Sequence, residues 1–431
     1  MLSIIDWQNL STVEQQQRLT RPALFGAMKE RVQAIIDEVK TRGDEALLDF
    51  TREFDQVDLQ RLTVAKDTIL QAAISEAAFK AINQAITTIR TYHEAIMPRR
   101  QVVSTAKGIS IERVYKPIAK VGLYIPGGNN TPLVSSLLMQ AIPALVAGCP
   151  IKVLCTPPNK AGQLDPHLLV AARLCQIETI YLIGGAQAIA AMAYGTETIQ
   201  KMDKIFGPGN SFVTEAKTLV AADPKGAAID MPAGPSEVMI LADNQANPDF
   251  VAADLLAQAE HGIDSQVFLV CESFFFANQV QDALQRQLPL LSRQNIIQQA
   301  LATSAILVCP DKRAQMGIVN TYAPEHLIIN REDAVNWVSE VTAAGTVFLG
   351  PWAAETLGDY LTGSNHVLPT NGYAKAYSGL SVLDFLKAIS IQSVTFEGLA
   401  ALGESAQILA KLEGLDAHAN AVKIRLAKQG S

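Results

Sequence analysis

The feature that most limits what this chain can fold into is an alternation of short apolar runs and helical patterns through its middle. Lys120-Val121-Gly122-Leu123-Tyr124-Ile125 is a strand-length apolar run closed by Pro126-Gly127-Gly128. A helical pattern follows through Leu133, Leu137, Leu138 and Ile142. Lys152-Val153-Leu154-Cys155 repeats the strand signal, and so does Thr179-Ile180-Tyr181-Leu182-Ile183, which runs into Gly184-Gly185 and a helix over residues 186–194. Strands that alternate with helices predict parallel βαβ packing. Twice a strand enters Gly-Gly and then a helix, a faint internal echo. Val238-Met239-Ile240-Leu241, Val267-Phe268-Leu269-Val270 and Thr346-Val347-Phe348-Leu349 continue the pattern as a second α/β unit. A chain of 431 residues exceeds one ordinary core, so two or more domains are expected.

The flanks read as helical. Val32, Ile35, Ile36 and Val39 mark one apolar face; Ala46, Leu47, Leu48 and Phe50 mark another. Arg42-Gly43-Asp44 between them supplies a stop and a cap. His93 reads as a helix-surface or packing residue. From Ser381 onward strand signals are lacking and a helical segment is expected.

Composition excludes several classes. Hydrophobic residues at 49% and charged residues at 18% fit a soluble globular protein. The net charge is −7 with no basic block, which argues against a nucleic-acid partner. Residues 133–149 are the most apolar stretch, but Ser135, Ser136, Gln140 and Pro143 interrupt them, so they read as a buried helix and no membrane association is expected. Met1-Leu2-Ser3-Ile4-Ile5-Asp6-Trp7 has no basic region followed by an apolar core, and no secretory signal is expected. Cys149, Cys155, Cys175, Cys271 and Cys309 form no Cys-x-x-Cys pair and suit a reducing cytoplasm.

Neither Gly-Gly turn is a GxGxxG fingerprint. A strand–glycine–helix junction still offers free N–H groups and a positive helix end to phosphate or carboxylate. Glycine is also the default residue of any tight turn, so both readings stay open. Phe206-Gly207-Pro208-Gly209-Asn210 and Asp230-Met231-Pro232-Ala233-Gly234-Pro235-Ser236-Glu237 are turns too unusual for plain linkers.

The six histidines narrow the chemistry. Gln258 and His261, at the end of a helical pattern, are three apart and share a face. They could offer two ligands to one metal, although zinc sites are normally built from Cys, His and carboxylate. Glu325 and His326 follow Pro324 and set an acid beside an imidazole, the residue types of general acid–base catalysis at neutral pH. A surface glutamate with a half-buried histidine is the plainer account. Gly358-Asp359-Tyr360 and Gly363-Ser364-Asn365-His366 flank a polar loop in which Asp359 could be a hard-oxygen ligand and His366 a ligand or a loop-fixing donor. Glu413 and His418 put a carboxylate and an imidazole on the tail. An amide, imidazoles and a carboxylate suit zinc or manganese. No local spacing assembles Gln258, His261, Asp359 and His418; only a fold could.

Taken together these segments resemble the L-histidinol dehydrogenase family over nearly the whole chain. The resemblance rests on the runs at residues 121–128, 184–188, 206–210 and 230–237, and on Gln258-Ala259-Glu260-His261-Gly262 and Pro324-Glu325-His326-Leu327. Residues 345–350 and Gly363-Ser364-Asn365-His366-Val367-Leu368-Pro369-Thr370 complete it. Asn129-Asn130-Thr131 stand where many relatives carry other small residues.

The resemblance implies an α/β fold of two incomplete Rossmann-like domains, with a helical N-terminal arm and a helical C-terminal tail, in an intertwined homodimer. The implied division is an arm at 1–22, a discontinuous first domain at 23–123 and 237–380, a second domain at 124–236, and a tail at 381–431. It implies a cytoplasmic enzyme of histidine biosynthesis with one zinc per subunit. That enzyme oxidises L-histidinol through bound histidinal to L-histidine and reduces two NAD. By matching motif, the metal ligands are Gln258, His261, Asp359 and His418. The substrate meets those four and Ser236, His326 and Glu413. NAD meets Tyr124, Gln187 and Asn210. Glu325 and His326 are the acid–base residues, His326 taking the hydroxyl proton and Glu325 activating the hydrating water, while the tail completes the partner's site. A zinc hydrolase on the same ligands is the alternative, and a non-enzymatic binder a third class. The hydrolase leaves the strand–Gly-Gly–helix turns without a task, and the binder leaves Glu325 and His326 without one.

Overall fold

A computed structural model describes residues 1–21, 28–127, 132–231 and 234–428. Asn129, Asn130 and Thr131, singled out above, lie outside the described residues, as do Gly128, Pro232 and Ala233 of the quoted motifs. Among the described residues the strands run in chain order as follows. The first four are β1 (Ser3–Asp6), β2 (Gln101–Ala106), β3 (Ile109–Pro117) and β4 (Lys120–Tyr124). β5 (Ile151–Thr156), β6 (Thr179–Leu182), β7 (Lys204–Phe206) and β8 (Ala228–Ile229) come next. β9 (Glu237–Ala242), β10 (Gln266–Cys271), β11 (Ala305–Val308), β12 (His326–Asn330), β13 (Thr346–Leu349) and β14 (Leu386–Val394) complete the set.

The chain divides into two compact units. The first comprises Met1–Ala95 and Ile118–Phe385 and holds two parallel sheets. One has the order β6-β5-β4-β7-β8, the other β1-β11-β10-β9-β12-β13. Their central strands are buried on both faces, which is why they read as unbroken apolar runs rather than alternating ones. Every strand expected from such a run is present and pairs in parallel, Val121 with Lys152 and Val238 with Val267 among them. Lys120–Tyr124, expected within the first Rossmann-like domain, is instead the central strand of the five-stranded sheet.

The N-terminal arm is helical only in part. Its helix Thr12–Arg18 starts with a capping box between Ser11 and Glu14. Before it, β1 adds to the six-stranded sheet beside β11, Ser3 opposite Ala305. The β-branched pair Ile4-Ile5 extends an open edge more readily than it starts a helix.

The second unit comprises Ile96–Pro117 and Leu386–Ser431. Its sheet is antiparallel in the order β14-β3-β2, with Leu386 opposite Pro117 and Val394 opposite Ile109. The expectation of a tail without strands is therefore corrected. Leu386–Val394 has no buried run to announce it, since nearly all of it is exposed, and its partner lies far upstream in sequence. Long-range pairing decides such a strand, not local pattern. The helices Phe396–Leu412 and Asp416–Ala427 follow. They cross closely at Gly403, where a Cβ would lie 2.9 Å from Leu426 Cδ1.

Candidate active site

A cavity of about 380 Å³ opens between the two parallel sheets of the first unit. From the five-stranded sheet it receives the loops after the carboxyl ends of β4 and β7, including Pro126, Pro208 and Asn210, as expected for parallel sheets. From the six-stranded sheet it receives the amino ends of β9 and β12, which deliver Ser236, Glu325 and His326. His261, Asp359 and His366 close it.

The acid–base pair is built on one peptide. The N–H of Glu237 donates to Glu325 Oε2 at 2.8 Å. His326 Nδ1 lies 3.1 Å from the carbonyl oxygen of the same Glu237. A carbonyl only accepts, so His326 carries its proton on Nδ1 and Nε2 keeps a lone pair. That Nε2 is buried and has no hydrogen-bond partner among the described residues; Asp359 Oδ1 is 3.8 Å away. Glu325 and His326 are 6% and 3% exposed, so neither the surface glutamate nor the half-buried histidine of the plainer account is found. Burial pushes the Glu325 carboxyl well above its ordinary range, reinforced by the carboxylates of Glu237, Asp359 and Glu355. Burial pushes the His326 imidazole down to about 3, with His261 and His366 adding repulsion.

Gln258 lies in the last turn of the helix Pro248–Ala259 and is buried, while His261 lies in the turn just past it. Glu355, on the helix Glu355–Tyr360, was not singled out from sequence. With its amide nitrogen turned toward that residue, Gln258 donates to Glu355 Oε1 at 2.5 Å. Glu355 and Asp359 are four apart on that helix, a spacing that could have drawn attention to both. Ligand atoms of His261, Glu355 and Asp359 all lie within 4.8 Å of one another. Burial raises Asp359 to about 7 and holds Glu355 well above the carboxylate range, with Asp359 and Asp254 adding to the latter. Burial also lowers His261, with Arg293 contributing, although its side chain opens toward the cavity. Two adjacent buried carboxylates with an imidazole form a donor set whose charge a divalent cation would balance. The residues fit such an ion. His366 Nδ1 donates to the Asp359 carbonyl at 2.9 Å, which makes it a loop-fixing donor.

The remaining expected residues are dispersed. Asn210 lines the cavity and caps the helix Ser211–Ala222 by accepting from Val213 N at 3.1 Å. Its loop is held by Lys217, whose ammonium donates to the Gly207 carbonyl at 2.8 Å and pairs with Asp230. Gly207 has φ +118°, and a Cβ there would strike the Tyr124 carbonyl. Tyr124 and Gln187 are buried, 3% and 2% exposed. The Tyr124 hydroxyl accepts the Gly185 N–H at 3.0 Å at the start of the helix Gly185–Tyr194. Glu413 and His418 belong to the second unit, where both are exposed on its helical segment.

Comparison with known proteins points one way. The family model described as histidinol dehydrogenase matches residues 20–426. A histidinol dehydrogenase of Legionella pneumophila (strain Lens) is 62% identical over 430 residues, covering all of both chains. One from Xanthomonas oryzae pv. oryzae is 49% identical over 99% of each. The crystal structure of histidinol dehydrogenase from Elizabethkingia anophelis superposes with a TM-score of 0.95 at 42% identity, over 100% of this chain and 99% of that one.

Proposed function

The chain belongs to the histidinol dehydrogenase family, and on that premise we propose that it oxidises L-histidinol, through bound histidinal, to L-histidine. The observation that carries the reading is the buried Glu325–His326 pair, which lines the same cavity as His261 and Asp359 and whose Nε2 has no hydrogen-bond partner among the described residues. The reaction class excludes the zinc hydrolase that the ligand set alone left open.

Neutral His326 takes the proton of the substrate hydroxyl on Nε2, because Nδ1 is committed to Glu237. Glu325, its Oε2 held by the Glu237 N–H, takes a proton from the water that hydrates the aldehyde. Asn210, Tyr124 and Gln187 are the residues that would hold NAD, which would supply the hydride acceptor, twice per turnover. Zinc would be held by Gln258, His261 and Asp359, with His418 from a second copy, and would supply a Lewis acid that grips the substrate. Ser236 lines the cavity on the substrate side, and Glu413 accompanies His418.

Exposed apolar residues of the second unit support the homodimer reading. Val102, Ile391, Ile408, Leu409 and Leu412 are exposed on it, Leu412 at 78%. Apolar surface of this kind is normally covered by a partner. Among the described residues no helix is long and apolar enough to cross a membrane. All five cysteines are free and buried, which suits the cytoplasm.

The test is to follow the absorbance of reduced nicotinamide after adding histidinol to the zinc-loaded protein with NAD. A rise is expected; a hydrolase or a simple binder gives none.

A further inference from the structure

Arg21, in the N-terminal arm, serves the site without lining its cavity. Arg21 Nη2 donates to Glu237 Oε2 at 2.8 Å and to the Tyr322 carbonyl at 2.8 Å, while Nε donates to Glu237 Oε1. The guanidinium carbon sits 3.9 Å from the centre of the Tyr322 ring. Glu237 Oε1 also accepts the Asn371 N–H at 2.9 Å. The Glu237 side chain is 3% exposed, so its carboxylate is buried and held from several sides. The backbone of this same residue anchors the acid–base pair, its N–H on Glu325 and its carbonyl on His326.

We propose that Arg21 is a positioning residue for the Glu325–His326 pair, acting through Glu237; the proposal rests on reading that pair as the acid–base groups. A two-pronged guanidinium–carboxylate contact fixes the plane of the carboxylate as well as its charge. Remove the guanidinium, and a buried negative charge is left unpaired at the head of β9. Glu237 must then take up a proton or turn away, and its peptide moves with it. A shift of that peptide misdirects the lone pair of His326 and the carboxyl of Glu325 together. Lysine in place of Arg21 would return the charge without the fork.

The experiment compares Arg21→Met, Arg21→Lys, Glu237→Gln and the Arg21→Met/Glu237→Gln pair in zinc-loaded enzyme, with histidinol and with histidinal. Turnover is expressed per folded, zinc-containing subunit, and thermal stability is measured alongside. Arg21→Met should lower kcat roughly 10- to 100-fold, the scale of a small misplacement of reacting groups, with both KM values nearly unchanged. Arg21→Lys should recover part of the loss. The double variant should be no slower than the slower single one, since both act through one contact. Wild-type kcat per folded subunit with a lowered melting temperature would overturn the proposal, as would additive losses in the double variant. If Arg21→Met does not fold, Arg21→Lys carries the test: reduced kcat at constant KM supports it, and wild-type kcat overturns it. Turnover kept by both Glu325→Gln and His326→Asn would overturn the acid–base reading and this inference with it. Turnover lost in those two but kept in Arg21→Met would overturn this inference alone.

Discussion

His326 Nδ1 and the Glu237 carbonyl oxygen stand 3.1 Å apart, and that contact decides which ring nitrogen carries the proton. With Nδ1 protonated, Nε2 is the atom able to accept a proton from substrate. His326→Asn should therefore slow both alcohol and aldehyde oxidation, by about 10²- to 10⁴-fold. Glu325→Gln should mainly slow aldehyde to acid. Supplying histidinal directly separates the two steps, and equal defects of both variants with both substrates would remove the division of labour.

Much of this arrangement was legible in the sequence, and the limits have physical causes. The buried strands of both parallel sheets announce themselves as apolar runs, and Glu325 beside His326 is visible as a pair. The roles of Glu237 and Arg21 are not, because each acts through partners far along the chain, Arg21 through Glu237 and Glu237 through Glu325 and His326. β14 escaped because it is exposed and its partner β3 is remote in sequence.

Metal binding should weaken when any one member of the cluster is altered. His261→Asn should lose most bound zinc, since an amide replaces an imidazole poorly. Glu355→Gln should weaken zinc about 10- to 100-fold, the usual effect of removing a carboxylate that supports a ligand. Competition with a chromophoric chelator measures both without reference to activity, and full zinc affinity in either variant would contradict the assignment.

The Lys217–Asp230 pair should matter for stability and for the nucleotide loop together. Lys217→Met leaves the fully buried Asp230 side chain without its cation, a loss of about 3–5 kcal/mol. Denaturant titration reads the loss. The KM for NAD should rise more than that for histidinol, because the ammonium also holds the Gly207 carbonyl.

Acid should destabilise the fold partly through His93. It is buried, its Nδ1 accepts the Val382 N–H at 3.3 Å, and burial lowers it to about 4. The unfolded chain, with histidine near 6.5, takes up the proton first as pH falls. The folded state therefore loses stability between about 6.5 and about 4, and this group adds no further loss below that. His93→Gln should flatten that part of the pH dependence in urea titrations; an unchanged slope would exclude His93 as its source.

If the tail completes a partner's site, two inactive chains should rescue each other. Mixing His261→Asn with His418→Asn puts both lesions in one site of each mixed dimer and leaves the other intact. Random re-pairing should restore roughly a quarter of wild-type activity. No recovery, with mixed dimers detected by mass spectrometry, would place each site within one chain.

The most direct test of the account is the electron count. Limiting histidinol is consumed to completion with excess NAD, and reduced nicotinamide and histidine are both quantified. Two reduced nicotinamides and one histidine per histidinol are expected. One reduced nicotinamide with histidinal released, or none at all, would contradict the proposed four-electron oxidation in a single site.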